Sequence, residues 1–359
     1  MFSDRHYVPI LKGREGEFSA LQALDKKLRE WITPLFEVPP VPWDFVNESP
    51  AKTLDKHLAN TPDKLLAAWG PKSPLFLDFL WLPQAERVAS GDHPIAHVLA
   101  GTRKLELAVI PVTGPERDGD YQTAVKQAVA TDRRGVCIRI DVDYLSDLSR
   151  LATELAQLQE TLAIGPEDVD LLIDLKEVSA KNEALVVTGM NAVLTGLPRI
   201  NDWRTFTLAA AAFPENLSDI PAGTVAKIPR ADWTLWLALR NGKPPRLPSF
   251  GDYAIAHPEP TEIDPRLMQM SANLRYTRPD LWLVFKGRTV RKFGYEQFQD
   301  LCADLVNRKN DYDGHDHCWA DGFIEQCAAR KAGPGNATTW RKVGTNHHLA
   351  RVIGDLQVI

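Results

Sequence analysis

Cysteine is scarce. The 359 residues hold four, Cys137, Cys302, Cys318 and Cys327, and no two form a C-x-x-C pair. That spacing gives no disulfide framework, and a thiol inside an apolar run, such as Cys137, reads as a reduced core side chain. Long hydrophobic runs are missing too: no stretch approaches ~20 consecutive apolar residues, so no membrane span is expected. The first residues, Met1 to His6, are charged and lack the apolar core of a signal peptide, which makes the cytoplasm the expected compartment. Neither G-x-G-x-x-G nor G-x-x-x-x-G-K-[ST] occurs, which weighs against dinucleotide and P-loop sites. Charge of one sign is also lacking. Lys and Arg number 42 against 47 Asp and Glu, a net −5, which excludes a wholly basic protein that coats nucleic acid. A hydrophobic content of 44% with 25% charged residues is ordinary for a folded globular chain and excludes wholesale disorder.

What the chain does have is an alternation. Apolar runs at 7–11, 32–38, 75–81, 107–112, 135–142, 169–175, 204–212 and 252–256 are separated by stretches of helical periodicity. Strands spaced by helices make parallel β-α-β units. Leu171-Leu172-Ile173 is apolar without alternation, as a strand covered on both faces must be. Eight units in about 250 residues is the length of a (β/α)8 barrel. A doubly wound open sheet is the alternative, weakened by the missing glycine fingerprint. After residue 264 the pattern changes. Runs at 274–277 and 281–286 flank Arg278-Pro279-Asp280, a hairpin signal, and 295–307, 319–330 and 347–355 read as helices. The expected architecture is α/β: a TIM-barrel-like (β/α)8 core over 1–263, and a C-terminal α+β extension over 264–359, hairpin plus helices, packed on the barrel.

Polar residues at strand ends carry the functional signal, because the C-terminal ends of barrel strands face the active-site mouth. The first strand ends at Lys12, with Arg14 two residues on; the second ends at Glu37; the third carries Asp78. The fifth carries Arg139 and Asp141, followed by Asp143; the sixth carries Asp174 and Lys176; the eighth opens with Asp252. A period of two puts Arg139, Asp141 and Asp143 on one face, and likewise Asp174 with Lys176. Such a cluster must pair internally, bind a metal or stay wet. Read as a site, Glu37, Asp78, Asp141 and Asp174 are hard oxygen ligands for a divalent metal such as Mg or Mn. Lys12, Arg14 and Arg139 would bind an anionic substrate. Asp141, Asp174 and Lys176 would be the catalytic groups of a metal-assisted phosphoester hydrolase. The plain alternative is an ion-pair network that only fixes strand register.

Other features have weaker readings. His315, His317 and Cys318 suggest zinc, but no second ligand pair follows at the usual spacing, so a surface loop is the expectation. His257 follows the eighth run as a lone loop histidine, with a general base as the sharper alternative. Lys286, Arg288, Arg291 and Lys292 lie near Trp282, Phe285 and Phe293, a combination that suits single-stranded nucleic acid, though a hairpin edge protected by charge is favoured. Trp233 and Trp236 read as packing residues.

Several separated motifs in order carry a resemblance. They are Tyr7-Val8-Pro9-Ile10-Leu11-Lys12-Gly13-Arg14 with Glu17-Phe18-Ser19-Ala20-Leu21, Ile32-Thr33-Pro34-Leu35-Phe36-Glu37, Phe213-Pro214-Glu215-Asn216-Leu217, and Pro229-Arg230 with Trp233 and Trp236. Phe250-Gly251-Asp252-Tyr253, Arg275-Tyr276-Thr277 before Trp282, Trp319-Ala320-Asp321, and Gly335-Asn336 through Trp340-Arg341 to Asn346-His347-His348 complete the set. Over essentially its whole length the chain resembles the Beta protein family of phages and bacterial mobile islands. The resemblance transfers no catalytic residue. It implies a setting of phage–host conflict, with a phage protein or a defence partner protein as the expected partner. It also draws attention to Asp321, Arg341, Asn346 and His347, whose plain role would be to fix the extension to the barrel.

The functional expectation is therefore a phage-defence or phage-associated barrel protein, with metal-assisted phosphoester hydrolysis at the C-terminal mouth of the barrel as its enzymatic reading. The alternatives are a non-enzymatic recognition or sensor module for a phage protein or partner effector, and a single-stranded nucleic-acid binder.

Overall fold

The computed structural model describes residues 2–260 and 270–359. Its strands are β1 (Tyr7–Leu11), β2 (Leu35–Glu37), β3 (Trp43–Asp44), β4 (Ser49–Pro50), β5 (Leu75–Asp78), β6 (Val109–Thr113), β7 (Val136–Asp141), β8 (Val169–Glu177), β9 (Thr205–Ala211), β10 (Thr224–Pro229), β11 (Ser249–Asp252), β12 (Ser271–Thr277) and β13 (Leu281–Thr289). Its helices are α1 (Glu15–Gln22), α2 (Leu54–Leu58), α3 (Thr61–Trp69), α4 (Pro94–Lys104), α5 (Gly119–Asp132), α6 (Leu148–Leu162), α7 (Glu183–Gly196), α8 (Ala231–Asn241), α9 (Val290–Phe293), α10 (Gln297–Asn307), α11 (Trp319–Ala328) and α12 (Ala337–Gln357).

Eight parallel strands close a barrel in the order β1-β11-β9-β8-β7-β6-β5-β2. The (β/α)8 core is what the alternation of runs implies. Its strands are buried on both faces, so they carry few charges until their ends. Val8, Ile10, Leu35, Phe76, Val112, Cys137 and Leu172 meet inside the barrel. Their sequence neighbours Tyr7, Leu11, Phe36, Leu77, Ile138 and Leu171 face the helical ring. Cys137 is thus a core thiol, fully buried.

The eighth strand differs from expectation. It spans Ser249–Asp252, directly after Pro248, so Asp252 ends the strand instead of opening it. The region expected as one helix at 16–30 is α1 followed by a 3-10 turn, Lys26–Trp31, nucleated where the Asp25 side chain accepts from Lys27 N.

The remaining sheet has three antiparallel strands in the order β10-β13-β12. The β12–β13 hairpin sits where Arg278-Pro279-Asp280 places it, with longer arms than the sequence suggests. The third strand, β10, comes from between β9 and α8 and pairs along Thr224–Lys286 to Pro229–Leu281. The sheet therefore draws strands from both sides of position 264. The expected 263/264 boundary itself lies outside the described residues. Sheet and helices α10 and α11 share a second core of Leu274, Tyr276, Phe285, Phe298, Cys302 and Ile324.

Helix α12 joins the two parts. It starts ten residues earlier than the expected 347, at Ala337, and the Asn336 side chain caps it by accepting from Thr339 N at 3.0 Å. Trp340 stacks on Phe298 at 4.1 Å on the sheet side. On the barrel side α12 packs against α1, and a Cβ on Gly16 would lie 2.8 Å from both Arg341 Cβ and Thr338 O. Asn346 is the pin of this joint: its amide donates to Ala20 O and its oxygen accepts from Ala320 N, both at 3.0 Å. Among the described residues no helix is long and apolar enough to cross a membrane.

Candidate functional site

Each charged strand end lies two residues beyond an inward-facing apolar residue, so alternation delivers it to the lumen. Lys12 follows Ile10, Glu37 follows Leu35, Asp78 follows Phe76, Arg139 follows Cys137 and Asp174 follows Leu172. All five are buried, and they meet at one end of the barrel.

Arg139 is the hub. Its Nη1 donates to Glu37 Oε1 and Asp78 Oδ2, both at 2.8 Å. Its Nη2 donates to Asp174 Oδ2 at 2.7 Å and to the Tyr253 hydroxyl at 2.7 Å. Its Nε donates to the same Asp174 oxygen at 3.1 Å. The Tyr253 hydroxyl itself donates to Asp174 Oδ2 at 2.6 Å. Arg117 takes the other oxygen of Asp78 at 2.9 Å, and Lys12 Nζ and Trp81 Nε1 take Glu37 Oε2 at 2.6 and 2.9 Å. Lys12 also donates to the Pro258 carbonyl and lies over the Tyr253 ring, 4.8 Å from its centroid.

The electrostatics follow from that wiring. Burial would raise the Asp174 carboxyl, but Arg139 and Lys176 outweigh it and hold the group down at about 2. For Asp78 burial is again opposed, here by Arg117 and then Arg139, and its pKa falls below the usual range. Burial lowers Lys12, with Glu37 pulling the other way.

The structure brings together Lys12, Glu37, Asp78, Arg139 and Asp174, but not as an open set of metal ligands. The Arg139 guanidinium occupies the centre toward which Glu37, Asp78 and Asp174 point. Asp141, the fourth expected ligand, stands at the rim beside Lys176 Nζ at 3.6 Å and keeps solvent exposure. Lys176 sits on a bulge in the left-handed conformation (φ 55°), its ammonium 3.1 Å from Asp174. Asp143 leaves the strand for the 3-10 turn Val142–Ser146, where its N–H donates to Asp141. Asp252 faces away from the lumen. It accepts from the Tyr7 hydroxyl at 2.5 Å and lies 2.7 Å from His348 Nε2, tying the barrel wall to α12. Tyr253, Arg117 and Trp81 complete the cluster. Tyr253 continues the alternation of β11 directly past Asp252, whereas Arg117 and Trp81 lie in loops, where no periodicity marks them.

Arg14 belongs to a neighbouring feature. A cavity of 600 Å³ lies between the mouth and the extension, lined by Lys12, Arg14, Phe213, Arg275, Trp340 and Arg341 among others. Arg275 donates to the Ile255 carbonyl at 2.7 Å and lies over the Phe213 ring at 4.5 Å. Burial, then Arg341, then Arg14 push its pKa down to about 9. Among the described residues one carboxylate lies within 4 Å of these three guanidinium groups, Glu17, at 3.7 Å from Arg341. Glu15, Glu215 and Glu259 also border the cavity and, like Arg14, are exposed, whereas Arg275 and Arg341 are half-buried. His257 lines it as well, 3.5 Å from Glu177.

A sequence model of one family, described as Beta protein, matches residues 7–354. The chain belongs to the Beta protein family. No curated protein matches it. Within this family's fold the motif residues sort clearly. Lys12, Arg14 and Glu37 serve the mouth and the cavity, Tyr253 serves the mouth, and Arg341 joins the cavity. Trp233 and Trp236 stack at 5.4 Å in the core.

The basic strip of the extension does not form a stacking platform. Trp282 and Phe285 are fully buried, and Lys286 donates to the Leu217 carbonyl at 2.5 Å. Only Phe293 is exposed, with Arg288 and Lys292 about its ring.

Proposed function

We propose that the protein binds a small anionic ligand, one bearing a phosphate or carboxylate, in the cavity between the barrel mouth and the extension. One observation carries this reading: Arg14, Arg275 and Arg341 line that cavity, and among the described residues one carboxylate lies within 4 Å of their guanidinium groups. A half-buried guanidinium without a counter-ion is costly, and a bidentate oxyanion repairs the cost. The volume suits a ligand of nucleotide size. The antiviral setting implied by the family resemblance makes nucleotides the first compounds to screen.

The test is calorimetric titration with inorganic phosphate, pyrophosphate and nucleoside phosphates at low salt. Arg341→Met and Arg275→Met should weaken the best ligand at least about tenfold, the loss of one charge-assisted contact. An unliganded wild type across that panel, or equal affinity in both variants, would overturn the reading.

Phosphoester hydrolysis is the narrower version. The rim pair Asp141 and Lys176 would then do the chemistry, since Asp141 is the mouth carboxylate that Arg139 does not hold. A Mg or Mn ion would be held by Asp141 and the ligand's own phosphate oxygens, because Glu37, Asp78 and Asp174 are committed to Arg139. Asp141→Asn should abolish metal-dependent phosphate release with an unchanged melting temperature.

A further inference from the structure

Away from the barrel mouth, four potential metal ligands converge in the extension. His317, Cys318, Asp321 and His347 each offer one ligand atom, and these atoms all lie within 4.8 Å of one another. Cys318 immediately precedes α11 and Asp321 lies one turn in, which puts both on the same side of the helix end. His347 comes from the middle of α12, where it is fully buried and stacks on Tyr276 at 3.8 Å.

We propose that these four residues form a structural zinc site that clamps the start of α11 to α12 and the sheet. The outer contacts support it. His347 Nε2 lies 2.9 Å from the Thr277 carbonyl, a pure acceptor, so that nitrogen carries a proton and Nδ1 is the ligand atom. Nδ1 in turn faces Asp321 Oδ2 at 2.9 Å. An imidazole lone pair and a carboxylate oxygen at that distance need a cation between them, a proton in the metal-free chain and zinc in the loaded one. The far oxygen of Asp321 accepts from the Tyr276 hydroxyl at 2.7 Å. A carbonyl behind a histidine and a hydroxyl behind a carboxylate are the partners that orient metal ligands.

The other two positions fit as well. Cys318 Sγ is 3.0 Å from Asp321 Oδ2, and Nε2 of His317 is buried with no hydrogen-bond partner among the described residues. Bond lengths of about 2.0–2.3 Å to zinc separate tetrahedral ligand atoms by about 3.3–3.8 Å. The present contacts reach that by shifts of about 1 Å or less. One thiolate with two imidazoles selects a borderline-soft ion over Mg or Ca, and four protein ligands leave no open position, which marks the site as structural. Half-buried His317 and Cys318 give the ion a route in. His315, two residues away, is exposed and outside the set, with its Nδ1 3.3 Å from Glu325.

Cobalt and zinc titration of the chelator-stripped full chain tests this. One Co(II) per chain should bind, with tetrahedral visible bands and a thiolate-to-cobalt charge-transfer band, and one Zn(II) should displace it. Cys318→Ala should lose the charge-transfer band, and His317→Ala should weaken zinc binding at least about tenfold. His315→Ala should bind as wild type does. Circular dichroism of the same variants confirms that each is folded. Absence of stoichiometric zinc in the folded wild type, or zinc affinity unchanged in both Cys318→Ala and His317→Ala, would overturn the proposal.

Discussion

Arg139 makes five hydrogen bonds to four partners inside a barrel mouth, so its removal leaves three buried carboxylates facing one another. Arg139→Met should destabilise the fold by about 3–5 kcal/mol, the cost of breaking a buried ion pair from one side. Chemical denaturation measures it, and a loss under about 1 kcal/mol would show the cluster to be wetter than its burial implies. Acid should act on the same group of side chains. Asp174 is held at about 2 in the folded state, below its ordinary 3.8. A depressed carboxyl stabilises the fold above its unfolded pKa and loses that contribution as pH falls through the folded value. The melting temperature should therefore drop between about pH 4 and pH 2, and Asp174→Asn should flatten that slope. The charged strand ends were legible in the sequence because alternation fixes which face each residue takes. What they do with their charge was not. Whether a carboxylate meets Arg139 or a metal depends on side-chain reach across the lumen, from strands 35 to 102 residues apart. The loop partners Arg117 and Trp81 carry no periodic signal at all.

At the scale of elements, helix α12 is the joint, and its approach to α1 depends on the missing side chain of Gly16. A Cβ there would meet backbone and side-chain atoms of α12 at 2.8 Å. Gly16→Val should cost about 1–3 kcal/mol through overpacking and shift Arg341, whose own Cβ makes that contact, so anion affinity should fall with the melting temperature. A variant that melts normally would show the helices able to part without strain. The start of α12 escaped the sequence reading because Ala337-Thr338-Thr339 has two β-branched residues in its first turn, and Asn336 supplies the stop-start signal only once its cap contact is seen. Strand β10 escaped it for a different reason. Its residues are half or fully exposed, so no burial pattern marks them, and its partner lies more than fifty residues further on. Barrel strands needed no such partner knowledge, since a run like Leu171-Leu172-Ile173 is buried whichever neighbour it takes.

For the whole molecule, the two cores are interlocked rather than strung along the chain. The sheet takes one strand from within the barrel segment, and α12 covers the barrel wall at Tyr7 and Asp252 through His348. A fragment ending at residue 263 would leave β10 unpaired and Asp252 without its histidine. It should sediment as aggregate or show a molten spectrum, and adding residues 270–359 as a separate chain should restore a sharp unfolding transition. A fragment that melts cooperatively alone would mean the barrel does not depend on its extension. The architecture was legible because the β-α rhythm is local. The interlocking left no such rhythm, since it joins residues hundreds of positions apart, such as Asn346 with Ala20; the family resemblance, not the pattern, is what points to Asn346 as a residue fixing the extension to the barrel.

That interlocking also sets an order of events during synthesis. When β10 leaves the ribosome, the segment it will pair with, Leu281–Thr289, has not yet been translated. The nascent chain must carry an unpaired edge and an uncovered barrel flank until α12 emerges. A pause in translation between residues 230 and 337 would thus lengthen the time in which a chaperone, or a second nascent copy, can bind that edge first.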